Sequence, residues 1–252
     1  MTFDELDKSM RIFETALDYP VLPGIYIVAR VDGRSFTRLT KEVHHFESPY
    51  DERFRDYMVE TAGHLMQCGF HVLYSHTQSD EISLLFHRDE MMFGRKMRKY
   101  ISILSGEASA KFSLLLGDIA SFDCRISQLP APEYVVDYFR WRSEDARRNA
   151  LNSHCYYLLR SLGKSVDEAT DLLRKLSVAG KREVLRRAGK SFKELPGWQK
   201  HGVGLFWEIY TLSAVNPVTG ETVHSERRRI KVEYTLPVKN DYERFVLKLI
   251  EV

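Results

Sequence analysis

Several features that mark other classes of protein are scarce or missing in this sequence. Its 252 residues include only three cysteines, Cys68, Cys124 and Cys155, and none of them stands in a CxxC pair. Neither a disulfide framework nor a zinc ribbon is indicated, and a reducing cytoplasm is the expected location. Because no stretch approaches the roughly 20 apolar residues needed to cross a bilayer, we expect no membrane span and no signal peptide.

The sequence also lacks a large excess of charge of one sign. Its 37 Lys and Arg residues and 35 Asp and Glu residues leave a formal net charge of +2. That is weaker than the basic excess of a non-specific nucleic-acid coat protein, so any site for a polyanion must be a local patch. The hydrophobic share of 44% is typical of a folded globular protein.

Apolar periodicity predicts alternating helices and strands in the first half of the chain. The predicted elements are a helix from Phe3 to Leu17, a strand from Ile25 to Val31, a helix from Asp51 to Gln67, a hairpin of Phe70 to Tyr74 and Ile82 to Phe86, a helix from Met91 to Leu116 and a strand from Ile119 to Ile126. From the first strand onward, this order is the split βαβ arrangement of α+β ferredoxin-like domains, with helices on one face of an antiparallel sheet. Polymerase palm domains have the same layout.

The second half of the chain is predicted to be helical and then to end in strands. Tyr134 to Leu162 has the pattern of one or two packed helices, and Trp207 to Val215 and Arg229 to Leu236 alternate like strands around a turn at Asn216 to Gly220. We therefore divide the chain, with a soft boundary, into a palm-like catalytic domain at 1–132 and a C-terminal region at 133–252.

Two acidic residues are predicted to meet at one edge of the sheet. Asp32 follows the first strand, and Asp80 lies in the connection of the hairpin, which can pack beside that strand. Two carboxylates there need a cation between them, and Mg²⁺ prefers oxygen ligands and binds carboxylates together with substrate phosphates. Because a pair of such ions stabilises the attacking and leaving oxygens in nucleotidyl transfer, the pattern predicts a triphosphate substrate.

Groups suited to phosphate surround the two aspartates in the sequence. They are the Gly33 backbone, the Ser79 hydroxyl and the cations Lys41, Arg95 and Lys99. Arg95 and Lys99 lie four residues apart on a predicted helix and so share a face, although such basic pairs commonly face water. Asp-Gly and Ser-Asp-Glu are also common in turns, so each motif alone is weak.

Five sequence blocks resemble the tRNA-His guanylyltransferase family, in the family's order and spacing. They are ARVDGRSFTRLTK (Ala29 to Lys41), FESPYDERF (Phe46 to Phe54), SHTQSDEISLLF (Ser75 to Phe86), FDCRI (Phe122 to Ile126) and YFRWRSEDARRNALN (Tyr138 to Asn152). The joint occurrence of five blocks is far more specific than any one motif. The resemblance implies a palm-domain nucleotidyltransferase that adds nucleotides to the 5′ end of tRNA and assembles as a homotetramer.

The resemblance also implies roles for single residues. Asp32 and Asp80 would be catalytic and, with the Gly33 backbone and a supporting Glu81, would hold two Mg²⁺ ions. The triphosphate of GTP, or of ATP as a further substrate, would contact Lys41, Ser79, Arg95, Lys99 and Asn149. A C-terminal group of basic residues would contact RNA phosphates, although a solvated face is an equal alternative. These basic residues are Lys181, Arg182, Arg186, Arg187 and Lys190.

One block departs from the family pattern. Eukaryotic members carry His-Ile-Asn-Asn-Leu-Tyr-Asn where this chain has Arg147 to Ser153, so the histidine and the last asparagine are absent. The loss resembles the branch of Thg1-like proteins and implies templated, 3′-to-5′ repair of 5′-truncated tRNA. A palm-type nucleotide cyclase and a non-catalytic RNA-binding module stay open as alternatives.

Three other residues are interpreted as ordinary parts of the fold or its surroundings. Trp141 is expected to be a packing anchor and not a base-stacking platform, and Cys155 a buried thiol. The histidines lack zinc spacing such as HExxH, and His76 alone is placed by the hairpin near the predicted metals.

Overall fold

The strands of the protein form one antiparallel sheet. The structure is a computed structural model that describes residues 1–215 and 222–251. The strands are β1 (Tyr26–Gly33), β2 (Val72–Gln78), β3 (Glu81–Phe86), β4 (Phe122–Leu129), β5 (Val203–Val215) and β6 (Thr222–Glu233). Their order across the sheet is β4-β1-β3-β2-β5-β6, and every neighbouring pair is antiparallel.

Helices connect the strands and follow them. The α-helices are α1 (Phe3–Glu14), α2 (Phe36–Arg38), α3 (Glu52–Leu65), α4 (Met97–Leu116), α5 (Pro132–Ser161), α6 (Val166–Lys175), α7 (Val178–Arg187), α8 (Gly197–His201) and α9 (Asn240–Ile250). A π-helical turn, Leu39–Val43, continues α2, and a 3-10 turn, Met92–Arg95, precedes α4. Within the described residues, no helix is long and apolar enough to cross a membrane.

The order β4-β1-β3-β2 confirms the predicted ferredoxin-like palm. It arises because β1 is buried on both faces and pairs with β3 on one side and β4 on the other. The C-terminal strand β5 then adds to the free edge of β2, through Tyr74 to Thr77, and β6 continues the sheet. The predicted division near residue 133 stays a prediction.

Helices cover both faces of the sheet: α3 and α4 pack on one face, as expected for the ferredoxin-like domain, and helices of the C-terminal region pack on the other. Alternate residues of β1 show this, because Ile27 and Val31 pack in the cluster that holds residues of α3 and α4, while Val28 packs with residues of α5 and α9. The cause is the single helix α5 of 30 residues. It lies across the face that a minimal ferredoxin-like sheet leaves open.

Several predicted boundaries differ from the structure. The helix predicted from Met91 begins only at Met97, because Phe93 and Gly94 have positive φ angles of 53° and 59° that interrupt helical geometry. The strand predicted at Ile119 begins at Phe122. The predicted turn at 216–220 lies outside the described residues.

Candidate active site

Asp32 and Asp80 lie at the same edge of the sheet. Asp32 is the next-to-last residue of β1, and Asp80 follows Ser79 in the tight turn between β2 and β3. Ser79 has a φ of 53°, and the backbone N–H of Gly33 donates to the carbonyl oxygen of Asp80 at 3.0 Å. The backbone therefore holds the hairpin tip against the end of β1.

The electrostatics of this edge favour a bound cation. Burial raises the pKa of Asp80, and the negative charges of Asp32 and Glu81 raise it further. A hydrogen bond of 3.0 Å from the Ser79 hydroxyl to Asp80 Oδ1 opposes that shift. Since carboxylate oxygens are hard ligands, the donor set fits Mg²⁺ better than a softer metal.

A metal held here needs ligands besides side chains. Within the described residues, no group of three or more His, Cys, Asp or Glu side chains is arranged to hold a metal ion. Magnesium sites that use one or two carboxylates are completed by water and substrate phosphates. The pair Asp32 and Asp80 therefore suits an ion that arrives with a triphosphate.

Gly33 has a packing reason to be glycine. A Cβ atom at this position would come within 2.5 Å of the ring of Phe36. That ring is buried and lies 4.8 Å from Phe122 and 5.2 Å from Phe112, measured between centroids. The role of the Gly33 backbone at a metal stays a prediction, because packing alone accounts for the missing side chain.

Two arginines hold the carboxylate of Glu81. Its Oε2 accepts a bond of 2.8 Å from Arg142 Nη1, and its Oε1 lies 3.9 Å from Arg30 Nη1. Glu81 is paired across the strands with Asp32, so it stands beside the aspartates while being bound toward α5. The predicted supporting role of Glu81 at a metal stays a prediction.

Arg125 also touches the site, and the sequence analysis did not single it out. Its Nη2 lies 3.5 Å from Asp32 Oδ2 and 3.3 Å from Asp123 Oδ1. The signal was present in the FDCRI block. Only the register of β1 against β4, which pairs Asp32 with Asp123, brings this guanidinium to Asp32.

A cavity of about 220 Å³ opens on one side of the hairpin tip. Lys41, Ser79 and Asp80 line it together with aromatic rings. The Lys41 Nζ lies 5.5 Å from the ring centroid of Tyr157. Three of the residues predicted to contact triphosphate or metal therefore share one space. The aromatic side chains that line it are Phe36, Phe46, Tyr50, Phe54, Tyr157 and Trp198.

Two further cavities lead from the hairpin along α5. One, of about 290 Å³, is lined by Asp80, Arg142 and Asn149 among others. The next, of about 280 Å³, is lined by Asn149 and by four cations. We call this second space the basic cavity; its cations are Arg147, Arg148, Lys181 and Arg182. Asn149 borders both spaces, and its contact with nucleotide or RNA stays a prediction.

The basic residues of α7 and beyond fall into two groups. Arg186 and Arg187 form ion pairs with Glu183 at 2.7 and 3.0 Å, on an exposed surface. Lys181 and Arg182, in contrast, line the basic cavity, whose described lining contains no carboxylate. Lys190 is exposed beyond the end of α7.

Arg95 does not bind phosphate, which corrects the prediction. The side chain is 1% exposed, and its guanidinium donates to backbone carbonyl oxygens of the loops around it. The acceptors are Val21, Ile25, Arg88 and Glu90. Arg95 lies in the 3-10 turn and not on the helix with Lys99, so the assumed shared face does not exist.

Lys99 lies at the wrong end of the sheet for the predicted contact. The backbone N–H of Met97, the first residue of α4, donates to the carbonyl of Tyr19 at 3.0 Å. The side chain of Met97 contacts Gln128, which is the cross-strand partner of Ile27. At about 3.3 Å per residue, Asp32 is roughly 16 Å further along β1 than Ile27. Within this chain, Lys99 and the aspartates are therefore far apart.

Three other residues were singled out in the sequence, and the structure places each of them. His76 is buried beside the cavity of about 290 Å³, its Nε2 donates to the carbonyl of His201 at 2.8 Å, and burial lowers its pKa to about 4. Trp141 is 53% exposed, so the expectation of a packing anchor was wrong. Cys155 is buried as expected.

An antiparallel palm sheet with two aspartates at one edge defines the class of polymerase-like palm proteins. The family model described as tRNAHis guanylyltransferase matches residues 7–130. The Arabidopsis thaliana protein named tRNA(His) guanylyltransferase 1 is 26% identical over 84% of this chain and 39% of its own length. A probable tRNA(His) guanylyltransferase of Drosophila melanogaster is 29% identical over 73% of this chain and 68% of its own. These matches confirm the resemblance to the tRNA-His guanylyltransferase family that the five blocks carry.

Solved structures confirm the palm fold. A bacterial tRNA(His) guanylyltransferase-like protein in complex with ATP superposes with a TM-score of 0.74 at 24% identity, covering 98% of this chain and all of that one. The same kind of protein in complex with GTP gives a TM-score of 0.73. The chain spans about 39% of the length of the Arabidopsis relative and 68% of the Drosophila relative.

Proposed function

We propose that the protein is a magnesium-dependent nucleotidyltransferase that extends the 5′ end of tRNA in the 3′-to-5′ direction. The observation that carries the proposal is the meeting of Asp32 and Asp80 at one sheet edge, beside a cavity lined by Lys41 and Ser79. Support comes from relatives named tRNA(His) guanylyltransferase and from related structures holding ATP and GTP.

Asp32 and Asp80 would hold the two ions. Bound Mg²⁺ lowers the pKa of an attacking hydroxyl and offsets charge on a triphosphate and its leaving pyrophosphate. The side chains of Lys41 and Ser79 then orient phosphate oxygens, and Glu81, restrained by Arg142, keeps the hairpin tip in place. Positioning and electrostatics dominate such displacements.

The reaction joins an incoming nucleotide to an activated tRNA 5′ end. The 3′-hydroxyl of the nucleotide attacks the α-phosphorus of a 5′-triphosphate, the new phosphodiester forms, and pyrophosphate leaves. If ATP has instead adenylylated a 5′-monophosphate, AMP is the leaving group. GTP is the favoured substrate, with the base near the aromatic rings of the first cavity.

The basic cavity suits RNA phosphates. Arg147, Arg148, Lys181 and Arg182 line it, its described lining contains no carboxylate, and Asn149 joins it to the space beside Asp80. Arg147 also occupies the position where the eukaryotic block has histidine. These features favour templated repair of truncated tRNA over addition of a single guanosine. A homotetramer in the cytoplasm is part of the same proposal.

The test is a nucleotide-addition assay with single-nucleotide resolution. Purified protein is incubated with Mg²⁺, labelled GTP and a 5′-triphosphorylated tRNA that lacks its first nucleotide. We expect templated extension in the wild type and none in Asp80→Ala. A cyclic product formed from GTP without RNA would assign the protein to the palm-type cyclases. RNA binding without any nucleotide chemistry would make it a binding module.

A further inference from the structure

The indole ring of Trp141 is exposed beside the candidate active site. Its inner face is held by the guanidinium of Arg142, whose Cζ lies 3.5 Å from the ring centroid. Arg142 is itself buried and bound to Glu81 at 2.8 Å. The ring of Tyr138 packs edge-on at 5.9 Å and is buried. The ring of Trp141 is thus rigidly supported from below, while about half of its surface faces solvent.

Contacts along α5 show which way Trp141 points. Arg140 and Ser143, on one flank of the helix, contact Glu243 of α9 and His201 of α8. Those helices lie toward β2 and β5. Tyr138, three residues before Trp141 and hence on the same flank, bonds Ser83 of β3 at 3.0 Å. Trp141 therefore points to the other side, toward β1 and β4.

The sheet on that side is open and carries the catalytic edge. Strand β4 is the edge strand, and Asp123 and Arg125 on its α5 face are more than half exposed. Arg125 reaches Asp32 at 3.5 Å. We name the surface formed by Arg125, Asp123 and Asp32 the β4 shelf. Trp141 is linked to it through Arg142, which bonds Glu81, the cross-strand partner of Asp32.

We propose that Trp141 is a stacking platform for a nucleobase at the RNA end whose 5′ phosphate reacts at Asp32 and Asp80. The proposal rests on the proposed function and adds an RNA subsite to it. Aromatic stacking accepts any base, because every base has a π face, and Arg125 is placed to contact the neighbouring phosphate. Such a platform orders the end of a substrate whose sequence varies.

The surroundings favour a nucleobase over a protein partner. A protein-docking patch needs a contiguous apolar surface. The neighbours that the structure gives for the Trp141 ring are the charged Arg142 and the buried Tyr138. A single exposed ring flanked by a guanidinium is the combination used for single-stranded nucleic acid.

The direct test measures RNA affinity, which does not depend on turnover. The variants are Trp141→Leu and Trp141→Phe, and the probe is the truncated, 5′-triphosphorylated tRNA. Loss of a stacked base reduces affinity by roughly 5- to 100-fold, and Trp141→Phe should recover most of it. The matched control is Tyr134→Leu, an aromatic residue of the same helix that is 56% exposed, which should leave affinity unchanged.

Fluorescence and kinetics supply independent readouts. Stacking should quench the emission of the exposed Trp141, and the quenching should disappear in Trp141→Phe, because Trp198 is buried and the Trp207 indole is bonded to the carbonyl of Val72. In Trp141→Leu, KM for tRNA should rise while KM for GTP stays constant.

Unchanged RNA affinity and unchanged quenching in the folded Trp141 variants would overturn the platform. The proposed function would survive that result, as long as the wild type extends tRNA and Asp80→Ala does not. Conversely, absence of extension in the wild type would remove the proposed function, while the affinity measurement would still decide whether Trp141 stacks on RNA.

Discussion

The backbone N–H of Gly33 donates a hydrogen bond to the carbonyl oxygen of Asp80, with an N···O distance of 3.0 Å. This bond joins the end of β1 to the tip of the β2–β3 hairpin. Backbone geometry therefore sets the spacing of Asp32 and Asp80. Changes that displace this junction should affect activity as strongly as changes to the aspartates.

Gly33→Ala tests the junction by packing alone. The new Cβ would lie 2.5 Å from the buried Phe36 ring, so the free energy of unfolding should fall by about 1–3 kcal/mol. Extension activity should fall with it. Urea unfolding measures the first effect. Gly106→Ala in α4 is the control, because a Cβ there meets nothing within 4 Å and alanine favours helix; equal destabilisation by both variants would contradict the argument.

Asp80→Asn should separate stability from activity. Burial and the charges of Asp32 and Glu81 raise the pKa of Asp80, so its ionised form is disfavoured in the folded state. Removing the charge should therefore raise the melting temperature at pH 7 while abolishing extension. Mg²⁺ with GTP should raise the melting temperature of the wild type and have little effect on the variant. A destabilised variant that still extends tRNA would refute this.

Arg95→Met should damage the fold and leave GTP recognition alone. It leaves four carbonyl oxygens, in two buried and two partly buried hydrogen bonds, without their donor, so we expect a loss of about 3 kcal/mol in the free energy of unfolding. Lys99→Ala, on the partly exposed start of α4, should stay within about 0.5 kcal/mol of the wild type. Neither should change KM for GTP in folded protein; a selective rise in that KM would restore the phosphate-binding roles.

His76 should make stability depend on pH. Burial lowers its pKa from 6.5 to about 4, so the unfolded chain binds a proton in this range that the folded chain excludes. Stability is then complete above pH 6.5 and falls as the pH drops toward 4, by about 3 kcal/mol from this residue. Urea unfolding between pH 4.5 and 7.5 should show a shallower slope for His76→Asn than for the wild type. Parallel slopes would contradict the assignment.

Salt dependence should distinguish the two groups of basic residues around α7. Replacing Lys181 and Arg182 with alanine removes two lining cations, so tRNA binding should weaken and its logarithmic salt slope should fall by roughly one per lost phosphate contact. The control replaces Arg186 and Arg187, which are paired with Glu183. The control should change the slope much less, and equal slopes would remove the basic cavity from the RNA site.

Local pattern was sufficient for the catalytic edge. The apolar run of β1 and the polar break in the β2–β3 hairpin placed Asp32 at the end of one strand and Asp80 in the turn of the neighbouring hairpin, and the five blocks carried the family resemblance. Lys41, Ser79 and Asn149 also lie in the spaces expected for a substrate. These positions can be predicted without tertiary information, because strand ends and hairpin turns depend on short stretches of sequence.

The errors have a common physical origin. Periodicity treated Arg95 and Lys99 as two exposed cations on one helix, because a charged side chain is rarely buried. Positive φ angles before α4 place Arg95 outside the helix, and its guanidinium is surrounded by backbone carbonyl groups. The prediction for Trp141 was wrong in the opposite sense. Large aromatic residues are usually buried, but the path of α5 leaves this ring exposed.

The sequence by itself determined the order of the elements, the two aspartates and the family resemblance, because these depend on short runs of residues. Only the tertiary structure decided that α5 covers the second face of the sheet, that Arg125 and Arg142 reach the acidic edge, and that Arg95 does not. Those outcomes depend on strand register and helix packing between distant segments, which a one-residue shift in register would reverse.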